Sequence, residues 1–330
     1  MDDKSDGPCD APMRSPSGRN LRPGALSAIK RMLLRRAPIG GAPAPAESPY
    51  SVVVVLGAAR TGTTLVASYL AWAKSTHPLA RESSPLLNAM VQRQRMFNTT
   101  EAFLGGANRR IADSVTQTYL KTFSDEYFLK QQVGTLVFRS PALTRYVFEL
   151  LNLMNFAPTK YVCCLRDPRD ACLSIMEWNA KLVSSGSRPI LRCHDAHEAA
   201  EFFMGYYNRM LRFRDVIAKR EVMFVKYEDA VSAPEQTVAA LGSFTGLDLS
   251  SFNPAAGWPE NSHDFQAECD LNFAVTPLYG KAPSTAQIDR HSSVLSDTDV
   301  GVIETTCKAY MDEFGYAPAA SETPITAEAA

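Results

Sequence analysis

The run Ser51-Val52-Val53-Val54-Val55-Leu56-Gly57-Ala58-Ala59-Arg60-Thr61-Gly62-Thr63-Thr64 passes from an unbroken β-branched segment into a turn bracketed by two glycines. The valines do not alternate with polar residues, so residues 52–56 read as a strand covered on both faces of a parallel sheet. A helix is expected from residue 62 to about 73. A strand–turn–helix of this kind gathers backbone N–H groups and the positive end of a helix dipole at one spot, which suits an anion. Gly57 and Gly62 keep the G-x-x-x-x-G spacing of a nucleotide triphosphate loop. The lysine that should follow the second glycine is Thr63, which argues against a triphosphate, and a basic group, Arg60, sits inside the loop instead. Alone, the run also fits a plain glycine-containing turn with an incidental arginine.

Outward from this run, further strands are expected at residues 135–138, 161–165 and 222–225, each followed by a helix-like segment. The longest helix is expected at 196–219 and the last at 296–314. Strands separated by helices predict right-handed crossovers. The expected fold is therefore α/β: a P-loop-like parallel sheet flanked by helices in a single domain. Residues 75–84, 181–194 and 250–290 read as irregular, and such loops commonly build specificity pockets.

A second motif, Arg166-Asp167-Pro168-Arg169-Asp170, follows the strand at 161–165, with Ser174 eight residues beyond Arg166. Pro168 suits the first turn of a helix, so Ser174 falls on its second turn. Arg166 and Ser174 can then grip one phosphate by a charged fork and a hydroxyl. The bland alternative is a surface ion-pair cluster at a helix start.

Composition bounds what such a site serves. The 330 residues are 45% hydrophobic and 21% charged, with a formal net charge of −1. That near-neutral balance argues against a nucleic-acid partner, so any anion site is a local arrangement. The seven cysteines contain no C-x-x-C pair, which points to a reducing compartment rather than a disulfide or zinc framework. Asp2, Asp3, Lys4 and Asp6 do not resemble a signal peptide. No apolar run approaches the length of a membrane span. A cytoplasmic location is expected. Residues 1–49 read as a mostly disordered tail, rich in Pro, Ser, Gly and Ala. Within it, 25–36 has the spacing of a short basic helix, either a membrane- or partner-binding element or one resting loosely on the body. Residues 318–330 read as a disordered C-terminal tail.

Residues 57–64 resemble the 5′-phosphosulfate loop of sulfotransferases that use 3′-phosphoadenosine 5′-phosphosulfate (PAPS), and residues 166–174 resemble their 3′-phosphate motif. The order and spacing fit that family. So do Arg139-Ser140-Pro141, Val225-Lys226-Tyr227-Glu228-Asp229, Tyr279-Gly280-Lys281-Ala282-Pro283-Ser284 and Glu313-Phe314-Gly315-Tyr316. The likeness covers residues 51–317 and is greatest for the bacterial and tyrosylprotein branches, where arginine occupies the position of Arg60. It implies a sulfotransferase domain at 50–317.

The resemblance assigns Arg60, Thr61, Gly62, Thr63 and Thr64 to the 5′-phosphosulfate, and Arg166 and Ser174 to the 3′-phosphate. Tyr227 and Lys281 would contact the nucleotide; otherwise Tyr227 packs at a strand end and Lys281 is a solvated loop charge. Arg60 would neutralise the bridging oxygen during in-line displacement, supported by Arg139, unless Arg139 is a surface residue. Glu82, downstream of His77-Pro78, would be the general base, or else a carboxylate capping the helix that starts near Ser84. His77 and His263 are reserve bases, although His77 beside Pro78 reads as a turn. PAPS would be the co-substrate, with no metal. The acceptor would be a hydroxyl on a small molecule, sugar or lipid; its identity and the oligomeric state are not legible. A P-loop nucleotide kinase or NTPase, and a catalytically inactive nucleotide-binding module, stay open beside this reading.

Overall fold

Val52, Val54 and Leu56 face one side of the first strand and Val53 and Val55 the other, and all five are buried. This is why the valine run shows no alternation: each face has its own core. The computed structural model describes residues 48–79, 82–104, 108–184, 186, 193–259, 262 and 278–319. The basic segment 25–36 and His263 lie outside them.

The strand, β1 (Ser51–Gly57), pairs in parallel with β2 (Thr135–Arg139) on one side and β3 (Thr159–Leu165) on the other, and β4 (Val222–Lys226) pairs in parallel with β3. The order is β2-β1-β3-β4. All four expected strands form, extended by a residue or two. Helices α1 (Thr63–Leu70) and α2 (Ser84–Leu104) lead to α3 (Asn108–Gln131). A 3-10 turn (Pro141–Tyr146) and α4 (Val147–Leu153) connect β2 to β3, and α5 (Pro168–Ser184) follows β3. Then come α6 (Ala196–Arg212), α7 (Arg214–Ile217), α8 (Tyr227–Ser232), α9 (Pro234–Thr245), α10 (His291–Val294) and α11 (Asp297–Phe314). Phe203, Tyr207 and Met210 of α6 with Ile303, Cys307 and Tyr310 of α11 cover one face of the sheet. Val66, Tyr69 and Leu70 of α1 with Val238 and Leu241 of α9 cover the other.

Three expectations need correction. The helix expected at 196–219 ends at Arg212, because Phe213 leaves the helical region (φ −118°, ψ 23°) and its ring stacks on Phe148 at 5.1 Å. It is therefore not the longest: α3 has 24 residues and α2 has 21. Residues 181–184, expected to be irregular, continue α5. Among the described residues, no helix is long and apolar enough to cross a membrane.

Because the strands are parallel, all four end at one edge of the sheet. Arg139 closes β2, the loop 58–62 leaves β1, Arg166 follows β3 and Tyr227 follows β4. Ligands of open α/β sheets bind beyond the carboxyl ends of the strands, where successive connections run to opposite sides. Here β1 is that point, with β2 on one side and β3 on the other.

Candidate functional site

The loop after β1 is held in a shape that few sequences tolerate. Gly57 (φ 142°) passes so close to its neighbours that a Cβ there would lie 2.6 Å from Thr61 Oγ1 and 2.8 Å from the Cys164 carbonyl oxygen. Gly62 (φ 86°) caps α1 in the left-handed region, and a Cβ on it would lie 2.8 Å from Tyr227 Cδ2. Between them Arg60 also takes positive φ, 71°. Distant side chains fix the loop backbone. Gly57 N–H donates to Thr144 Oγ1 (2.7 Å), whose hydroxyl donates to the Gly57 carbonyl (2.9 Å). Ala58 N–H donates to the Tyr207 hydroxyl (2.9 Å), which donates to the Cys164 carbonyl of β3 (2.7 Å). Thr61 closes the turn on the Ala58 carbonyl through its hydroxyl, 2.8 Å.

Helix α1 then begins with no side-chain cap and no acidic residue in its first turn. Its first N–H groups and its dipole face the strand ends uncompensated, which favours an anion there. Thr63 and Thr64 are buried on that turn. Thr64 Oγ1 accepts from Arg139 Nη1 (2.8 Å) and pairs with the Tyr279 hydroxyl (3.1 Å). Arg139 is buried, so the surface alternative for it does not hold.

The two motifs meet directly. Arg60 Nε donates to Ser174 Oγ (3.0 Å), and Arg166 Nη1 donates to the Arg60 carbonyl (2.9 Å). Arg166 Nη2 donates to the Gln287 carbonyl (2.7 Å), and its guanidinium lies over the Tyr227 ring, 4.5 Å from the centroid. Arg166 Nε is buried with no hydrogen-bond partner among the described residues. Burial, and less strongly the Arg166 charge, lower the Arg60 pKa, opposed by Tyr279 and Glu177. Cations crowded in this way gain from an incoming anion. Tyr227 is wedged between Gly62 and Arg166, so it packs at a strand end and touches a member of each of the two motifs.

The rest of Arg166–Asp170 is structural, but it is not at the surface. Arg169 bridges buried Asp167 (2.6 Å) and Glu304 of α11 (2.8 Å), and Asp167 N–H donates to Glu228 (2.8 Å). Asp170 accepts from Asp289 N–H (2.7 Å) and His291 N–H (2.9 Å), and pairs with His291 Nδ1 (2.9 Å).

Glu82 sits beside the end of β2. Ser83 N–H donates to the Arg139 carbonyl (2.7 Å) and Arg139 N–H to Ser83 Oγ (3.0 Å), so the segment lies along that strand end like a short extension. The exposed Glu82 carboxylate accepts from Ser140 Oγ, 3.3 Å. The Ser83 carbonyl accepts the first helical bonds of α2, from Leu86 and Leu87, which places Glu82 just ahead of the helix start. His77 is removed as a base. Its Nε2 accepts from Val137 N–H (3.0 Å), which leaves the proton on Nδ1, 2.7 Å from the Pro78 carbonyl. Burial lowers its pKa, so the ring stays neutral and serves the edge of β2. Lys281 is exposed, and its backbone N–H donates to the Leu278 carbonyl (3.2 Å). Among the described residues its ammonium meets no carboxylate.

Thr144, Tyr207 and Gln287 also hold the loop and Arg166, but they join partners too far apart in sequence to leave a local signal. Tyr279, which meets Thr64, has its only sequence signal in the run Tyr279–Ser284.

A family model described as "Sulfotransferase family" matches residues 52–251. The sulfotransferase domain from the olefin synthase of Synechococcus PCC 7002 is similar at 16% identity, covering 82% of this chain and 97% of that one, with a TM-score of 0.53. Sulfotransferase STF9 from Mycobacterium avium is 14% identical over 88% of this chain and 81% of that one, TM-score 0.44. Retinol dehydratase in complex with retinol and PAP is 14% identical over 82% and 83%, TM-score 0.43. Of these three, the first alone is near enough to support a shared fold. No curated protein matches the chain in sequence.

Proposed function

This chain belongs to the sulfotransferase family, and we propose that it moves the sulfonyl group of PAPS to a hydroxyl acceptor by in-line displacement. The observation that carries the proposal is the joining of Arg60 to Ser174 and of Arg166 to the Arg60 carbonyl, which links two anion-binding motifs at one edge of the sheet. A nucleotide with phosphate at both its 5′ and 3′ positions fits such a pair, because each motif offers its own cation and hydroxyls. The uncapped start of α1 and the unpartnered Arg166 Nε fit the same ligand.

Bound there, PAPS supplies an activated sulfonyl group whose departure leaves charge on the bridging oxygen. Arg60, Thr61, Gly62, Thr63 and Thr64 hold the 5′ end through side chains and backbone N–H groups. Arg166 and Ser174 hold the 3′-phosphate, with Tyr227 and Lys281 beside the nucleotide. Arg60 stabilises the departing oxygen, and Arg139, reaching the same helix start through Thr64, supports it. Positioning and charge stabilisation supply most of the acceleration in such a transfer. Glu82 takes the acceptor's proton, oriented by Ser140. The acceptor is a hydroxyl on a small molecule, sugar or lipid. The transfer domain spans 50–317 between tails at 1–49 and 318–330, and its buried free cysteines suit the reducing cytoplasm.

The test is incubation with sulfur-labelled PAPS and a panel of hydroxyl compounds, with no added Mg²⁺. Label on an acceptor together with released PAP is expected. Failure of transfer across the panel, or hydrolysis of Mg²⁺-ATP in its place, would overturn the proposal and restore the nucleotide kinase reading.

A further inference from the structure

Beyond Ser140, whose hydroxyl reaches Glu82, the 3-10 turn carries Arg145 across the face of α6. Its guanidinium carbon lies 4.4 Å from the Tyr206 ring centroid and 5.5 Å from that of Phe202. Those rings stand one helical turn apart, edge to face, with centroids at 5.2 Å. Gly205 lies between them in sequence, and a Cβ there would meet Arg145 Nη2 at 3.8 Å, an ordinary van der Waals contact, so the guanidinium lies against the helix backbone. The backbone is anchored as well. The Arg145 carbonyl accepts from Arg209 Nη1 (3.2 Å), and the preceding Thr144 is bonded to Gly57 in the loop.

A side chain held this firmly would be expected to face a carboxylate, yet among the described residues none pairs with it. Neighbouring Arg209 takes Glu149 (2.7 Å) and Arg93 takes Asp113. Arg145 remains exposed. Burial raises the Tyr206 pKa, Arg145 lowers it and Glu82 raises it, so one phenol feels both the cation and the carboxylate. The exposed carboxylate of Glu82 would repel an anionic acceptor, and a fixed cation acting on the same phenol offsets that repulsion. A planar guanidinium seated on aromatic faces loses little further freedom when it binds a carboxylate or phosphate in a fork.

We propose that Arg145 selects acceptors bearing an anionic group near the hydroxyl that receives the sulfonyl group. This rests on the sulfotransferase reading and assigns a charge to its acceptor. The test uses three phenols of one scaffold: anionic 4-hydroxyphenylacetate, its neutral methyl ester and cationic tyramine. Each is titrated calorimetrically into protein saturated with PAP. One charge-assisted hydrogen bond gives roughly 10- to 150-fold, so the anion should bind at least about tenfold tighter than tyramine, with the ester between. Arg145→Ala should abolish that order and leave PAP affinity within a few-fold, while Arg145→Lys should retain part of it. Equal binding of the three, preference for tyramine, no detectable binding of any, or an order unchanged in Arg145→Ala would each overturn the proposal. Failure of PAP itself to bind in the first titration would instead remove the sulfotransferase reading on which it stands.

Discussion

Arg60 adopts a left-handed backbone conformation (φ 71°) that costs an L-residue about 1–2 kcal/mol. The bonds that offset this cost are those of the site: Ser174 on its side chain and Arg166 on its carbonyl. Arg166 therefore both shapes the loop and is proposed to bind the 3′-phosphate. Arg166→Ala should weaken PAP binding by about 10- to 150-fold, on the scale of one charged hydrogen bond; isothermal titration measures it. An unchanged affinity would remove Arg166 from the site. A variant at Glu82 tests chemistry apart from binding, because the Glu82 carboxylate hydrogen-bonds Ser140 and, among the described residues, none of the groups proposed to hold the nucleotide. Glu82→Gln should lower kcat by about 10²- to 10⁴-fold, the usual share of a general base, and leave PAP affinity within a few-fold. If turnover survives, the base is another group; if nucleotide binding collapses, Glu82 anchors the loop. Arg60, Arg166 and Ser174 could be read from the sequence because each sits at a strand end or on the helix turn after it. Thr144 and Tyr207 could not: they meet the loop across 87 and 149 residues. His77 shows the reverse hazard. A titratable residue in a suggestive motif has both ring nitrogens committed to backbone.

Among elements, strands were more legible than helices, for a physical reason. A parallel strand buried on both faces must be continuously apolar, and residues 52–56 and 161–165 could be little else. Helices α2 and α3 bury only a narrow stripe. Along α3 that stripe is Asn108, Ala112, Thr116, Leu120 and Ser124, three of the five polar, so its helical period is faint. The break at Phe213 depends on a ring stacked against Phe148, a contact no local pattern encodes. Helix α5 has its own electrostatic anchor. Burial pushes the Asp170 pKa up, but the side-chain and backbone bonds from His291 and the charge of Arg166 prevail, and it ends below its ordinary value. A carboxyl whose folded pKa is depressed stabilises the fold above its unfolded value, near pH 4, and loses that contribution as pH falls through the folded value. Asp170→Asn should cost about 2 kcal/mol near pH 7, the scale of hydrogen bonds to a charged group. Measured by urea unfolding, the difference between wild type and variant should shrink as pH drops below about 4. A difference independent of pH would mean that the charge of Asp170 does not hold α5 to His291.

At the scale of the whole fold, the site and the core share their supports. Tyr207 belongs to the core between the sheet, α6 and α11, and its hydroxyl also bridges the loop N–H at Ala58 and the carbonyl at Cys164. Tyr310 acts likewise just past the end of β3: its hydroxyl accepts from Arg166 N–H and donates to the Arg166 carbonyl, both at 3.1 Å. Loosening either core residue displaces a strand end that carries a group proposed to bind the nucleotide. A ligand that engages the strand ends should therefore stabilise the fold as a unit. Ligand present at 100 times its Kd adds about 2.7 kcal/mol to the unfolding free energy, which raises Tm by about 5–10 °C in a domain of this size, at about 2–4 °C per kcal/mol. PAP should produce that shift with or without Mg²⁺, because the proposed contacts are guanidinium, hydroxyl and backbone N–H groups. AMP at the same concentration lacks the 3′-phosphate proposed for Arg166 and Ser174, and should shift Tm far less. Differential scanning fluorimetry with PAP, AMP and ATP, each with and without Mg²⁺, decides the matter. Equal shifts from PAP and AMP would mean that the second motif holds no phosphate. A shift that requires both ATP and Mg²⁺ would mean that the loop binds a triphosphate after all, despite Thr63 standing where its lysine should be.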